Sequence, residues 1–509
     1  MRAWLFRLVS VVLLPLLALA LFEGALHLFG FGAPAGFTIP CEIDGRAAFC
    51  ENPEFTAPFF PAGMERRATP FAIPAQKAPG TLRVFVVGES AAMGDPDPAF
   101  GLSRFLEVML RAQFPGRRVE VINAGVVAIN SHALLPIVGD LSRLQPDVFV
   151  IYAGNNEVVG PWGTGTVFTR GAPPLRLIRL FIRARQTRLG QLVSRVASLG
   201  RRPQQWAGME MFLGHQESAD DPALRPVYAN FAANLRDMID AARSSGARVL
   251  VSTVPTRLRD FAPFAGEQAL AEYRAGHLVA ARDLDTLRFR ADSRINAIIR
   301  EVAGPLLVDG EAALGAAPGA ESFWEHVHLT PRGNYALASV FFRGIAGAPP
   351  LAEDACEQRL ALTGFDRYRI AREVLRRLEH PPFTGQADHA QQVAAVEAVR
   401  DDGAREEFDA TDAAYRAAIA AWPDDPWLHY DYAVLLDTRD VFFARRGGRD
   451  EVRAIPQYEA ALRLLPQWAD ARYRFSRALL RAGRPDDAAA QCRVLLSYRR
   501  QYDACGSSR

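Results

Sequence analysis

Three β-branched apolar runs, at 84–87, 119–122 and 148–152, each end in a short polar motif. The motifs are Gly88-Glu89-Ser90, Asn123-Ala124-Gly125 and Gly154-Asn155-Asn156-Glu157. Continuous apolar runs of this length read as buried parallel strands. Open α/β sheets place their chemistry at the carboxyl ends of such strands. A serine, a glycine amide and an asparagine amide therefore converge on one sheet edge. A fourth segment far along the chain, Glu325-His326-Val327-His328, brings an imidazole and a carboxylate that can reach them. Together these are a nucleophile, oxyanion donors, a base and an orienting carboxylate, the parts of a serine acyl-transfer site.

The order and content of the four segments resemble the SGNH/GDSL hydrolase superfamily, named for Ser, Gly, Asn and His in four blocks. Ser90 matches the first block, Gly125 the second, Asn156 the third and His328 the fourth. Glu89 stands where the family often has Asp before the serine, and Glu325 where it usually has Asp as third triad member. Both departures keep the carboxylate and add one methylene. The resemblance covers about residues 80–346, roughly half the chain. It implies a flavodoxin-like three-layer α/β/α domain with a parallel sheet and an esterase or O-acyltransferase activity without a cofactor.

Each role has a competitor within the sequence. Ser90, at a strand-to-helix turn, is expected as the nucleophile, although a lone serine there is more often an N-cap. His328 is expected as the base and Glu325 as its partner, because Glu-x-x-His spacing, one turn, lets the carboxylate face the imidazole. His326, adjacent to Glu325, is expected to point away from it. Asp309 is a rival orienting carboxylate. The oxyanion hole is expected from the Ser90 and Gly125 backbone N–H groups and the Asn156 side chain. Asn123 and Asn155 read as local turn formers, and Glu157 as a tie between loops. His-x-His spacing occurs at metal sites, but no further ligand cluster supports a metal here.

The chain of 509 residues is 49% hydrophobic with formal net charge +2, which excludes a disordered chain and gives no reason to expect nucleic acid. Arg2 and Arg7 precede an apolar run that continues past Glu23 to Phe31. This predicts a signal anchor at 1–32, a single crossing of a bacterial inner membrane with the remainder on the periplasmic side. A cleaved signal peptide, with Ala18-Leu19-Ala20 at the site, is the alternative. In an oxidising compartment Cys41 and Cys50 can close one loop and Cys492 and Cys505 another, leaving Cys356 unpaired.

Residues 33–80, rich in Pro, Gly and Phe, read as a linker, and 81–350 as the catalytic domain. An insertion from Arg170 to Arg202 carries many arginines and no acidic residue. Its Leu175, Ile178, Ile182, Leu189, Leu192 and Val196 fall at helical spacing. Such a segment is either a lid helix with one core face or a basic amphipathic helix for an anionic membrane or ligand. Residues 355–509 are Ala-rich and helical and resemble tetratricopeptide repeats, with Gly483 at a turn and Pro466 and Pro485 at helix ends. They are expected either to bind a protein partner or to cap the catalytic domain. The reading is a membrane-anchored esterase or acyltransferase acting on acyl esters, O-acetyl groups above all, of an extracytoplasmic carbohydrate. The rival is a non-catalytic scaffold of an envelope assembly whose repeats recruit proteins.

Overall fold

A computed structural model describes residues 9–169, 171–200, 204–439, 450–498 and 505. Arg2, Arg7, Arg170, Arg201 and Arg202 lie outside the described residues.

The central sheet has five parallel strands: β4 (Leu82–Gly88), β5 (Val119–Gly125), β6 (Val148–Tyr152), β7 (Arg248–Ser252) and β8 (Leu307–Val308). Their order across the sheet is β5-β4-β6-β7-β8. The chain begins this sheet at β4, steps to one side for β5, then crosses back to β6 and continues the other way. The reversal lies between β4 and β6, and doubly wound sheets open a crevice at such a point. The strands are nearly dry on both faces: Val84, Phe85, Val86, Val87, Phe149 and Val150 are fully buried. Helices Leu102–Gln113, Ser131–Leu141, Leu224–Ser244, Ser293–Ala303 and Pro331–Ala346 follow the strands and supply the apolar cover.

Residues 33–80 are not a linker. Strands β1 (Thr38–Ile43), β2 (Arg46–Glu51) and β3 (Ala72–Pro74) form an antiparallel sheet, and Cys41 and Cys50 are disulfide-bonded across its first pair. Phe37, Phe55, Phe59, Phe60, Met64 and Phe71 are buried in the same core as the central strands. The Pro and Gly content that reads as a linker serves the turns, and the phenylalanines do the anchoring.

The boundary expected near 350 is also not a break in packing. Helices Glu353–Leu360, Gly364–Leu378 and His389–Gly403, with the turn Phe383–Gly385 between the last two, place Cys356, Leu360, Ile370, Val374, Leu378, Phe383 and Val396 in the core of the α/β region. A second apolar core gathers Phe408, Tyr415, Leu428, Tyr432, Tyr458, Leu462 and Phe475 from helices Phe408–Ala421, Pro426–Asp437, Glu451–Leu464 and Ala469–Arg481. Helix Pro485–Tyr498 closes this helical remainder, and Cys492 is bonded to Cys505. Cys356 is buried and free.

At the other end, residues Ser10–Leu28 form a helical stretch of 19 residues with mean hydropathy 2.1 and none of it buried. By length and composition it can cross a membrane, and a signal sequence would pass the same test.

Candidate active site

Ser90 opens the short helix Ser90–Met93 directly after β4, so its side chain stands at the crevice edge between β4 and β6. Glu89, fully enclosed beside it, accepts backbone N–H bonds from Gly154 (3.2 Å), Asn155 (2.9 Å) and Asn156 (3.3 Å). One carboxylate thus fixes the loop after β6 against the serine turn. Asn156 Nδ2 donates to the Ile129 carbonyl at 3.0 Å, which ties that loop to the one leaving β5. An amide nitrogen carries two hydrogens, so a second remains for a ligand.

Gly125 does not fill the role expected of it. Its N–H donates to Asn123 Oδ1 at 3.0 Å, and Asn123 Nδ2 donates to the Met93 carbonyl at 2.8 Å. A Cβ added at Gly125 would lie 2.6 Å from the Met93 backbone. Glycine is required because β5 runs hard against the serine helix, not because a substrate needs the space. Three residues on, Ala128 holds a left-handed backbone with φ of 59°. A non-glycine residue in that region marks a locally constrained loop.

The histidine side is a hairpin. Trp324 N–H donates to the His328 carbonyl at 2.8 Å and Thr330 N–H to the Ser322 carbonyl at 2.9 Å, so Glu325 and His328 are brought face to face. Ser90 Oγ donates to His328 Nε2 at 2.8 Å, and His328 Nδ1 donates to Glu325 Oε1. Ser90 is 8% exposed and His328 9%. Contrary to the expectation that His326 points away, its Nδ1 lies against Glu325 Oε2, although the two atoms make no hydrogen bond and only His328 is hydrogen-bonded to the carboxylate. The hairpin bend, unlike a regular helix or strand, folds neighbouring side chains toward one another. His326 is boxed by Phe261, Phe264, Phe289 and Phe383, with ring centroids 5.6 to 6.5 Å away.

Two groups here were missed by the sequence reading. Asp95 Oδ2 lies 3.3 Å from His328 Nε2, the atom that also faces Ser90. Arg377, on helix Gly364–Leu378, clamps Asp95 with both terminal nitrogens, Nη2 at 3.1 Å from Oδ1 and Nη1 against Oδ2. Asp95 was findable, since a carboxylate five residues past a nucleophile on a tight turn returns toward it. Arg377 gave no local signal: it is 282 residues from Asp95 in sequence.

The charges reinforce this layout. Burial pulls His328 down, but the Glu325 and Asp95 carboxylates outweigh it and hold the imidazole above its ordinary value, with Arg377 working against them. Burial raises Glu325, yet the two histidines bring it well below the usual carboxylate range. Burial holds His326 below the usual histidine value against the pull of Glu325. Burial likewise raises Asp95, and Arg377 and His328 overcome it. Charge is thus stabilised on the relay carboxylates and on His328, while His326 stays neutral.

The remaining expected residues have other employment. Asn155 Oδ1 accepts from Ala291 N–H at 3.2 Å, a distant segment and not a local turn. Glu157 accepts from Ser131 N–H and Oγ–H, both at 2.8 Å, and ties two loops. Asp309 accepts from Thr253 Oγ1 at 2.7 Å and caps the next helix, which takes it out of contention as an orienting carboxylate. Glu325, His326 and His328 also place one donor atom each within 4.8 Å of the others, a spacing that could hold a metal ion. Both Nδ1 atoms already face the carboxylate, so an ion entering there would displace the contacts that orient His328.

No protein-family model matches the chain, and no curated protein matches it. Among solved structures the chain is similar to a lipase/acylhydrolase from Enterococcus faecalis (18% identity, 53% of this chain and 100% of that one, TM-score 0.30). It is also similar to an acetyl xylan esterase (16%, 52% and 100%, TM-score 0.29) and to a catalytic mutant of an acetylxylan esterase from Geobacillus stearothermophilus (16%, 53% and 96%, TM-score 0.29).

Proposed function

We propose that the chain is a serine esterase or O-acyltransferase in which Ser90 is the nucleophile, His328 the base and Glu325 the orienting carboxylate. The observation that carries this is the unbroken relay from Ser90 Oγ to His328 Nε2 and from His328 Nδ1 to Glu325, at the switch point of a parallel sheet. As Ser90 Oγ attacks an acyl carbon, His328 takes its proton and becomes an imidazolium between Glu325 and Asp95. The oxyanion is met by the free hydrogen of Asn156 Nδ2 and by the Ser90 N–H at the start of its helix, with Gly125 supplying close packing instead of a donor. His328 then protonates the leaving alkoxide. Water or a second hydroxyl takes the acyl group from Ser90.

A serine so nearly covered favours a small acyl group such as acetyl. The apolar helix at Ser10–Leu28 supports anchoring in a membrane with the catalytic region outside the cytoplasm, where an acylated carbohydrate is the substrate class that fits. The helices at 408–498 are read as tetratricopeptide-like and as a place for a protein partner, while 353–403 belong with the catalytic region. A pure scaffold would have no use for the full relay.

The test is turnover of nitrophenyl acetate by full-length protein in detergent, followed by release of acetate from a panel of acetylated sugars. Ser90→Ala should be inactive with an unchanged melting temperature. Equal turnover by wild type and Ser90→Ala would end the serine mechanism.

A further inference from the structure

The insertion is more than a lid. Helix Leu175–Gln186 does turn one face inward, with Ile178 and Ile182 buried, while helix Arg188–Ala197 buries no residue fully. They also carry a second apolar face that nothing covers. Leu177, Leu180 and Phe181 recur at helical spacing on the first helix, and Val193, Val196 and Leu199 continue on and just beyond the second, all between 45% and 72% exposed. Around this face Arg176, Arg183 and Arg195 are exposed and make no ion pair among the described residues. No acidic residue occurs from 171 to 200.

The face sits beside the apolar N-terminal helix. Glu23 accepts the N–H of Arg188 and of Leu189, at 2.8 and 2.7 Å, and so caps the second insertion helix from within the apolar stretch. Gln191 exchanges two bonds with the Ala33 backbone, at 2.8 and 3.0 Å, just past the end of that stretch. Glu23 lies five residues before the end of Ser10–Leu28, or about 7.5 Å at 1.5 Å per residue. Interfacial helices bury their apolar face by about 5–10 Å, so a helix docked at that level lies at the boundary of headgroups and acyl chains.

We infer that helices 175–186 and 188–197 form a second, interfacial membrane contact for anionic phospholipid, with Leu177, Leu180, Phe181, Val193 and Val196 among the acyl chains and Arg176, Arg183 and Arg195 among the headgroup phosphates. The inference rests on the reading of Ser10–Leu28 as a membrane span. The two contacts together fix the height and tilt of the catalytic region above the bilayer, which a single flexible tether would not. A positive surface is drawn to an anionic leaflet, and the apolar stripe explains why it stays.

The test uses full-length protein in vesicles of phosphatidylcholine alone or with a third phosphatidylglycerol. An environment-sensitive fluorophore is placed on Phe181→Cys, Val193→Cys, Leu17→Cys in the anchor, and Ala404→Cys at the exposed end of helix His389–Gly403, leaving buried Cys356 unlabelled. Quenching by spin-labelled lipids of known depth is then measured. Positions 181 and 193 should be quenched by shallow labels, severalfold more with phosphatidylglycerol, Leu17 by deep labels, and Ala404 by neither. The charge-reversed variant R176E/R183E/R195E should lose the phosphatidylglycerol preference. Quenching at Leu17 with water-like emission at 181 and 193 would overturn the inference and leave the anchor standing. Water-like emission at Leu17 as well would remove the anchor reading and the inference with it. Protection of 181 and 193 in detergent that rises with protein concentration would make the face a contact between copies and overturn the lipid assignment, as would equal quenching in the two lipids.

Discussion

The two halves of the candidate site are built in different ways. The serine half is made of strand ends that touch one another within a single sheet. Glu89, Ser90 and Asn156 follow β4 or β6, Asn123 and Gly125 end β5, and their bonds run among these strand ends. The histidine half is a hairpin supported from outside the sheet. Its His326 packs on Phe383, and the Asp95 beside its His328 is held by Arg377, both from beyond residue 350. The first half inherits its geometry from the fold. The second depends on a late helical segment docking correctly, so the two should fail differently.

The most severe way to separate them is to end the chain near 350. Seven or more core side chains would be lost, Ile370, Val374, Leu378 and Phe383 among them. Large-to-small changes at single core sites cost about 2–5 kcal/mol each, so this truncation should not fold, as shown by loss of a cooperative thermal transition. A soluble, active protein ending at 350 would mean that the late helices only cap the domain.

Within the hairpin, His328→Gln should lower turnover by about 10³- to 10⁶-fold and Glu325→Gln by about 10²- to 10⁴-fold, since the orienting group is lost while the base remains. His326→Gln should stay within about tenfold of wild type, because that ring meets Glu325 at the oxygen that does not bond His328. Kinetics in which His326→Gln is the dead variant would invert the assignment of the base.

On the serine side, Glu89→Gln keeps one acceptor oxygen but faces three N–H donors, and leaving buried donors unpaired costs about 1–3 kcal/mol each. Stability and turnover should fall together, read by denaturant unfolding and assay on the same sample. A fall in turnover without a fall in stability would show that Glu89 acts chemically.

The finest comparison is in pH. His328 must be neutral to act as base, and its raised value sets the acidic limb of the rate profile. Asp95→Asn removes a carboxylate that raises His328, so that limb should move to lower pH. Arg377→Gln removes a charge that lowers it, so the limb should move to higher pH. Coincident limbs in the two variants would show that the clamp does not reach His328.

The first three strands of the sheet and the grouping of Ser90, Asn156, Glu325 and His328 were legible because parallel strands announce themselves by unbroken β-branched runs and end where the chemistry sits. Gly125 is expected from sequence as an oxyanion donor, and no sequence pattern shows that the Met93 backbone packs against it. The small N-terminal sheet was hidden by its own turns: strands as short as Ala72–Pro74 leave little alternation to detect. His326 was misjudged because the spacing argument assumed a helical turn where the chain makes a hairpin. Arg377 and Phe383 belong to no local pattern and became visible only through tertiary contact.

The central claim is that Ser90 is an activated nucleophile. The direct measurement is reaction of the full-length protein with a fluorophosphonate probe, with the modified peptide located by mass spectrometry. The account predicts one adduct, on Ser90, formed quickly in wild type, much more slowly in His328→Gln and absent in Ser90→Ala. Labelling that persists undiminished in Ser90→Ala, or no labelling of the folded wild-type protein, would contradict it.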